Sequence, residues 1–433
     1  MKFEEINNIE EYEEFVSNNS KAHFMQSYYW GEVMKNKHFI PHYVVLKDNE
    51  KIVASALMLQ KKLINNYCYY YIPRGFILDY ENYDLIKTFT EYIKKYVKKN
   101  KGIFVKIDPD IKLHDLDLDG KVVGEKNNFK LLKYLNKIGY KHLGFYKSFT
   151  GEQPRYTFRL NLDRDWNDIY NGMHPTTRKI LNKNNQYNLN MYVGNINDIE
   201  DFYETMKETA QRENIKALPI DYYKNYYEIL NKHNMSDLYV VKVKIKDLID
   251  TYASKVKDIE TKIEATNNNK NQKKKENLLN DLNKQLDKAK KELEDIKKIE
   301  KEEITLSSIM TAKYKDKVWT IHGGNSTLLR ELNSNYLLYH KIIKDAYDNG
   351  FKMIDFFGTS GEANPDKSNP IYGIHNFKKR LGGEYTEFIG EFDLITNKFM
   401  YFIYKRLIPI YRKIKYKKNI SKWYVLFIYK SKL

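Results

Sequence analysis

A single cysteine, Cys68, in 433 residues excludes an intramolecular disulfide. Apolar runs are short: the longest near the C-terminus, Trp423 to Tyr429, is far below the roughly 18 residues of a membrane-spanning helix. The opening stretch MKFEEINNIEEYEEF is acidic and lacks the apolar segment of a secretory signal, so a cytosolic protein is expected. Catalytic punctuation is also missing. There is no Cys-x-x-Cys, no His-Glu-x-x-His and no glycine-rich phosphate loop, which removes the minimum parts of zinc hydrolysis and P-loop chemistry; no metal is expected. His38 and His42 are four apart, but Pro41 between them spoils a helical ligand pair. In Gly358-Thr359-Ser360-Gly361 the serine is one place out of a nucleophile elbow.

What the chain does contain is apolar and aromatic area. It is 42% hydrophobic, with 38 Tyr and 21 Phe, enough for real cores, and its length suits two ordinary domains. The net charge of +17 suggests an anionic partner such as RNA, phospholipid or a phosphorylated ligand, although a Lys-, Asn-, Ile- and Tyr-rich bias accounts equally well for much of it. The charge is concentrated at the end. From Lys405 onward there are ten Lys or Arg and no acid.

Residues 246–303 contain no Gly or Pro, and apolar residues recur in two stripes: Ile245, Ile249, Tyr252, Val256, Ile259, Ile263, then Leu279, Leu282, Leu286, Ala289, Leu293, Ile296. This spacing predicts an antiparallel coiled-coil hairpin, with Lys270, Lys273, Lys274 and Lys275 near its turn. It reads either as a solvated spacer or as a clamp for a long anionic ligand. The flanking sequence repeats a pattern. In the first half, a hairpin turning at Asp48-Asn49-Glu50 and an aromatic strand over 67–72 precede a helix with Leu85, Phe89, Ile93, Tyr96 and Val97 on one face. That helix stops at Gly102 and leads into a strand ending at Asp108. In the second half, a hairpin turning near Lys315-Asp316 precedes a helix with Leu337, Leu338, Ile342 and Ala346, a stop at Gly350 and a strand ending at Asp355. The order predicts mixed sheets with packed helices, α/β or α+β, in two copies of one fold. The expected first domain is 1–150, completed by the basic C-terminal segment 384–433. The second is 151–383, with 246–303 inserted in it. Arg380-Leu381-Gly382-Gly383-Glu384-Tyr385 is the nearest approach to an acetyl-CoA pyrophosphate loop, and Tyr385 stands where Gly or Ala is needed. That argues against ordinary acetyl transfer but not against the fold.

Several segments together resemble the Fem family, the non-ribosomal aminoacyltransferases of peptidoglycan cross-bridges. They are Phe24-Met25-Gln26-Ser27-Tyr28-Tyr29-Trp30-Gly31-Glu32-Val33-Met34-Lys35, Ile107-Asp108-Pro109, QPRYTFRLNLD at 153–163 and Met173 to Lys183. Glu208 to Ile215, IDFFGTSG from Ile354 and Ile374 to Gly383 follow in order, so the resemblance spans roughly 20–415. It implies two acyl-CoA N-acyltransferase-like (GNAT-like) domains. It also implies aminoacyl-tRNA as co-substrate with no further cofactor, and lipid II or UDP-MurNAc-pentapeptide as acceptor, with an amino acid such as Gly, Ser or Ala transferred.

The implied reaction is aminolysis of an ester, which needs a neutral amine and stabilisation of a developing oxyanion, but no covalent enzyme intermediate. The resemblance assigns Lys378 to the catalytic centre, as stabiliser of the oxyanion or the tRNA end; the alternative is one more exposed lysine. Phe377 suits stacking on the terminal adenine or core packing. Asp108 either accepts a hydrogen bond from the attacking amine or forms the turn before Pro109. Lys35 and Arg212 match positions that grip the acceptor's phosphates, or are surface ion-pair partners. Arg178, Lys179 and Lys183 are candidates for tRNA phosphates. The basic tail suits peripheral contact with the inner membrane surface, with Phe399 to Ile414 packing back on the first domain. The competing readings are transfer to a non-peptidoglycan amine, and a non-catalytic RNA- or membrane-binding protein on the same fold.

Overall fold

The computed structural model describes residues 1–147, 151–184, 187–267 and 272–407. The tail from residue 408 and Lys270 at the helical turn therefore lie outside the described residues, as does the side chain of Lys274. The strands in chain order are β1 (Lys2–Glu5), β2 (Ile40–Asp48), β3 (Lys51–Lys62), β4 (Cys68–Ile72), β5 (Gly102–Ile107), β6 (Lys112–Leu116), β7 (Val122–Asn127) and β8 (Tyr140–His142). They continue with β9 (Tyr156–Asn161), β10 (Asn190–Gly194), β11 (Leu238–Lys244), β12 (Glu303–Tyr314), β13 (Lys317–Asn325), β14 (Met353–Gly358), β15 (Glu384–Phe388) and β16 (Phe392–Ile395).

Two mixed sheets result, in the orders β1-β2-β3-β4-β5-β16-β8 and β10-β11-β12-β13-β14-β9-β15-β6-β7. Each contains one parallel neighbour pair joined by a crossover helix. The helix Tyr83–Lys99 links β4 to β5, and the helix Ser334–Asp348 links β13 to β14. By this parallel pairing the aromatic strand β4 corresponds to β13, the second arm of the later hairpin, and not to the segment the sequence pattern aligned with it. The division of the chain also needs two corrections. Residues 112–127, expected in the first domain, form β6 and β7 at the edge of the second sheet, while β15, expected to complete the first domain, pairs with β9 in the second. Among the described residues of that segment, β16 alone adds to the first sheet, between β5 and β8. These exchanged strands lace the halves together, and one apolar cluster containing Phe24, Trp30, Tyr226 and Trp319 draws on both.

Local chemistry explains the Phe24–Lys35 motif. Ser27 Oγ caps the helix Tyr28–Lys35 by accepting from Trp30 N at 3.1 Å. The Gln26 amide is fully buried; it donates to Pro73 O at 2.6 Å and accepts from Leu57 N at 2.9 Å, fixing the segment to the end of β4 and the middle of β3. A Cβ at Gly31 would stand 2.1 Å from the Tyr43 hydroxyl, so only glycine lets this helix lie on β2.

The long helices Ile245–Asn267 and Gln272–Lys297 pack antiparallel, with Ile259, Leu282 and Ala289 at the centre of their contact and Lys255–Glu292 and Lys290–Glu260 pairs alongside. At the other end of the chain, the helix Lys398–Phe402 lies on the first sheet, with Tyr401 against Phe104 and its hydroxyl donating to Asp393 at 2.8 Å. Among the described residues no helix is long and apolar enough to cross a membrane, and no group of three or more His, Cys, Asp or Glu is arranged to hold a metal ion.

Candidate active site

The ends of the two parallel pairs face one another across a polar seam. Strand alternation puts Phe104, Lys106 and, one step beyond β5, Asp108 on one face of the first sheet. Asp108 is buried and accepts from the Tyr71 hydroxyl and from Arg74 N, both at 2.7 Å. Burial pushes its carboxyl up to about 7, with nearby Glu391 adding to the rise and the Arg74 charge opposing it. Behind it, Lys106 Nζ lies 2.8 Å from Glu391 and 3.3 Å from Asp393, a buried ion cluster that also receives Glu152 N.

Arg74 bridges the halves. Its backbone is left-handed, its guanidinium donates to Pro154 O at 2.8 Å, and it stacks 4.4 Å from the Phe388 ring. Arg159 approaches the same ring at 4.7 Å. From there it donates to Asp110 at 2.7 Å and to Asp355 at 2.8 Å. Burial alone would raise Asp110, but the Arg159 guanidinium outweighs it and holds that carboxyl well below the usual range. Asp355 also accepts from Thr157 Oγ1 at 2.5 Å and from Phe357 N at 2.7 Å. His23, stacked on Phe24 and near Asp110, is held neutral chiefly by burial.

Lys378 is on the helix Tyr372–Lys379, and its ammonium is buried against the end of β14. It donates to Gly358 O at 2.7 Å and Phe357 O at 3.2 Å. Burial lowers its pKa to about 7, with Asp355 opposing. A narrow void lined by Phe357, Gly358, Arg74 and Phe388 separates the backbone that holds Lys378 from the one that holds Asp108. The seam thus brings two titratable groups of opposite type, both shifted toward neutrality, to its two ends.

The other expected residues are distributed differently. Arg212 and Phe377, assigned by the resemblance to different substrates, line one cavity of about 220 Å³ together with Arg330, Asn325 and Tyr336. Arg212 is tied to Glu213 at 3.0 Å and to Asn325 O at 3.3 Å. Phe377 packs edge-on against Tyr336 and Tyr339, each at 4.8 Å. Lys35 sits apart at the end of its helix, exposed and paired with Glu32 at 2.7 Å. Arg178, Lys179 and Lys183 lie on the helix Pro175–Asn184; Arg178 donates to Asn171 at 3.0 Å, and the two lysines are exposed. Reading the sequence alone missed Tyr71, Arg74, Asp110 and Arg159. A signal was present for Arg159: Tyr156, Phe158 and Leu160 alternate with Arg155, Thr157 and Arg159, and a second, charged face on a central strand has to be paired within the protein.

Residues 8–408 match the FemAB family. The chain belongs to that family. It is 26% identical over 414 residues to a lipid II:glycine glycyltransferase of Staphylococcus epidermidis, covering 94% of this chain and 96% of that protein. It is 27% identical over 417 residues to the protein of that name in Staphylococcus haemolyticus, again covering 94% of this chain and 96% of the relative. A crystal structure of FemX superposes with a TM-score of 0.72 at 26% identity, covering 93% of this chain and 99% of the other. This FemAB chain therefore has a fold in which the seam, rather than any nucleophile constellation, is the candidate reaction centre.

Proposed function

We propose that the protein is an aminoacyltransferase that forms the interpeptide bridge of peptidoglycan. It carries an amino acid such as glycine, serine or alanine from aminoacyl-tRNA to the side-chain amine of the stem peptide on lipid II or UDP-MurNAc-pentapeptide. The observation that carries this reading is identity of 26 to 27% along 94% of the chain with proteins named lipid II:glycine glycyltransferase. The two sheets read as two GNAT-like domains, with the long helical pair as a coiled-coil arm.

In the proposed reaction the stem-peptide amine attacks the ester carbonyl, a carbon–nitrogen bond forms, and the ribose oxygen leaves with a proton. A free alkyl amine is mostly protonated at neutral pH, so a nearby proton acceptor is needed. Asp108, poised near pH 7, takes that proton, and the Tyr71 hydroxyl fixes its orientation. Lys378 supplies positive charge at the donor end, where it props the backbone of Phe357 and Gly358. Arg212 and Phe377 together form the wall of a donor-end pocket. Lys35 remains a candidate for acceptor phosphates, and Arg178, Lys179 and Lys183 for tRNA. No other cofactor enters.

The test is transfer of label from a pool of charged tRNAs to purified lipid II and, in parallel, to the soluble nucleotide-linked precursor. Label on either acceptor is expected, and sorting the pool names the amino acid. Absence of label on both, with the charged tRNA intact, overturns the proposal in favour of another amine or of binding without catalysis.

A further inference from the structure

Among the described residues, the contacts that hold the helix Lys398–Phe402 lie on one side. Tyr401 and Lys405 face the first sheet, where both reach Asp393 and lie against Phe104. The opposite side carries Phe399 and Phe402, 72% and 55% exposed, with Leu407 exposed in the following turn. Large apolar side chains so bare, and adjacent on one helix face, mark a surface that meets something other than water.

This surface continues toward the candidate active site. Lys141 lies over the Tyr401 ring, and Tyr146 is close enough to influence the Tyr401 hydroxyl. Tyr146 and its neighbour Phe145 are themselves exposed, just beyond the edge strand β8. Tyr146 also lines the crevice that contains Asp108, Arg74 and Glu391. Phe104, beneath the helix, and Asp108 are four residues apart on one strand face, about 13 Å. An apolar rim therefore borders the crevice that leads to Asp108.

The charge around this rim is predominantly positive, although Glu152 lies close enough to Lys106 and Lys405 to interact with both. Residues 398–407 include Lys398, Lys405 and Arg406 and no acid, and the sequence after them adds eight more Lys or Arg, again without an acid. The nearby acids Glu391 and Asp393 are consumed by Lys106, Tyr401 and Lys405. Bulky apolar side chains flanked by cations suit the interface of an anionic bilayer: the rings enter the headgroup boundary and the cations remain among the phosphates. Leu407 favours this occupant over RNA, because an aliphatic side chain offers no stacking platform.

We propose that Phe399 and Phe402, with Tyr146 and Phe145 beside them, dock on an anionic phospholipid surface and so turn the Asp108 crevice toward a lipid-linked acceptor. The inference rests on the peptidoglycan reading for the acceptor, but not for the surface.

The experiment uses the full-length chain with vesicles of phosphatidylglycerol and phosphatidylcholine, compared with vesicles of phosphatidylcholine alone. It is run on the parent and on the double variant Phe399→Ser, Phe402→Ser, with thermal unfolding as a check of folding. The parent should bind the anionic vesicles, and the double variant should bind them on the order of tenfold less tightly or weaker. Transfer to the soluble precursor should be equal for both, whereas transfer to lipid II in vesicles should fall in the variant. Equal vesicle binding by parent and variant overturns the proposal and leaves the basic tail as the only membrane element. A parent that transfers label but ignores vesicles also overturns it, with the transferase reading intact. A parent that transfers nothing, yet loses vesicle binding in the double variant, supports the surface and sinks the acceptor.

Discussion

Asp108 follows β5 and Asp355 lies within β14, the strand that comes after the crossover helix in each sheet, yet they are held in opposite ways. Asp355 receives a guanidinium, a hydroxyl and a backbone N–H, so its charge is fully answered. Asp108 receives a phenol and a backbone N–H, with the charge of Arg74 near but its guanidinium directed to Pro154. The acid within β14 thus serves as a structural tie, and the acid that follows β5 stays available to protons. What differs is whether a buried cation is bonded to it.

The sharpest way to break this comparison is to neutralise each acid in turn. Asp108→Asn should lower aminoacyl transfer by about 10²- to 10⁴-fold while leaving the melting temperature at pH 7 no lower than the parent's. Asp355→Asn should act mainly on stability. A reversal of the two effects in the label-transfer assay and thermal melts would dismantle the assignment. Next in size is Arg159→Leu, which strands Asp110 and Asp355 in the interior; urea unfolding at pH 7 should show a loss of about 3–5 kcal/mol. Because Asp110 has a depressed pKa, its contribution is present above the unfolded carboxylate range and is lost as pH falls. The gap between parent and Arg159→Leu should therefore narrow in acid.

A pH titration sharpens the contrast from the other acid. Asp108 has a raised pKa, so its ionisation costs the folded state stability as pH climbs from about 4, the unfolded value, through about 7. Asp108→Asn should then gain stability over the parent at pH 8 and little at pH 4, and parent turnover should peak near pH 7, falling below it as Asp108 takes up a proton and above it as Lys378 gives one up. The smallest effects concern the ends of the crossover helices. Gly350 carries the left-handed φ of +74° after the second helix, and Gly350→Ala should cost about 1 kcal/mol. After the first helix that conformation falls on Lys101, so Lys101→Gly should stabilise by up to about 1 kcal/mol in chemical denaturation.

That last pair also shows how far local pattern reaches. Gly102 looks like a helix stop in the sequence, but its backbone is ordinary strand; it is glycine because a Cβ would stand 2.3 Å from Val97 Cγ1 on the preceding helix and 3.0 Å from the Tyr70 ring on the neighbouring strand, which is a matter of packing and not of helix termination. Apolar periodicity marked the crossover helices and the hairpin turns at Asn49 and Lys315, and each turn does carry a left-handed residue. The acid at 108 was visible as the end of an apolar strand, whereas Asp355, expected to end its strand, lies inside β14, which runs on to Gly358. Arg74 was not visible, because its partners Pro154 and Phe388 are distant in sequence; for Arg159, strand alternation marks a charged face that needs partners but not that they are Asp110 and Asp355.

The sequence by itself determined the elements: where helices and strands fall, that the pattern occurs twice, and that no nucleophile or metal motif is present. These follow from residue spacing, which acts over a turn of helix or a few strand positions. Only the tertiary structure decided which strand joins which sheet, exchanging β6, β7 and β15 into the second. It alone decided that Asp108 keeps its proton near neutrality, since a pKa is set by burial and by charges that folding carries together from far along the chain.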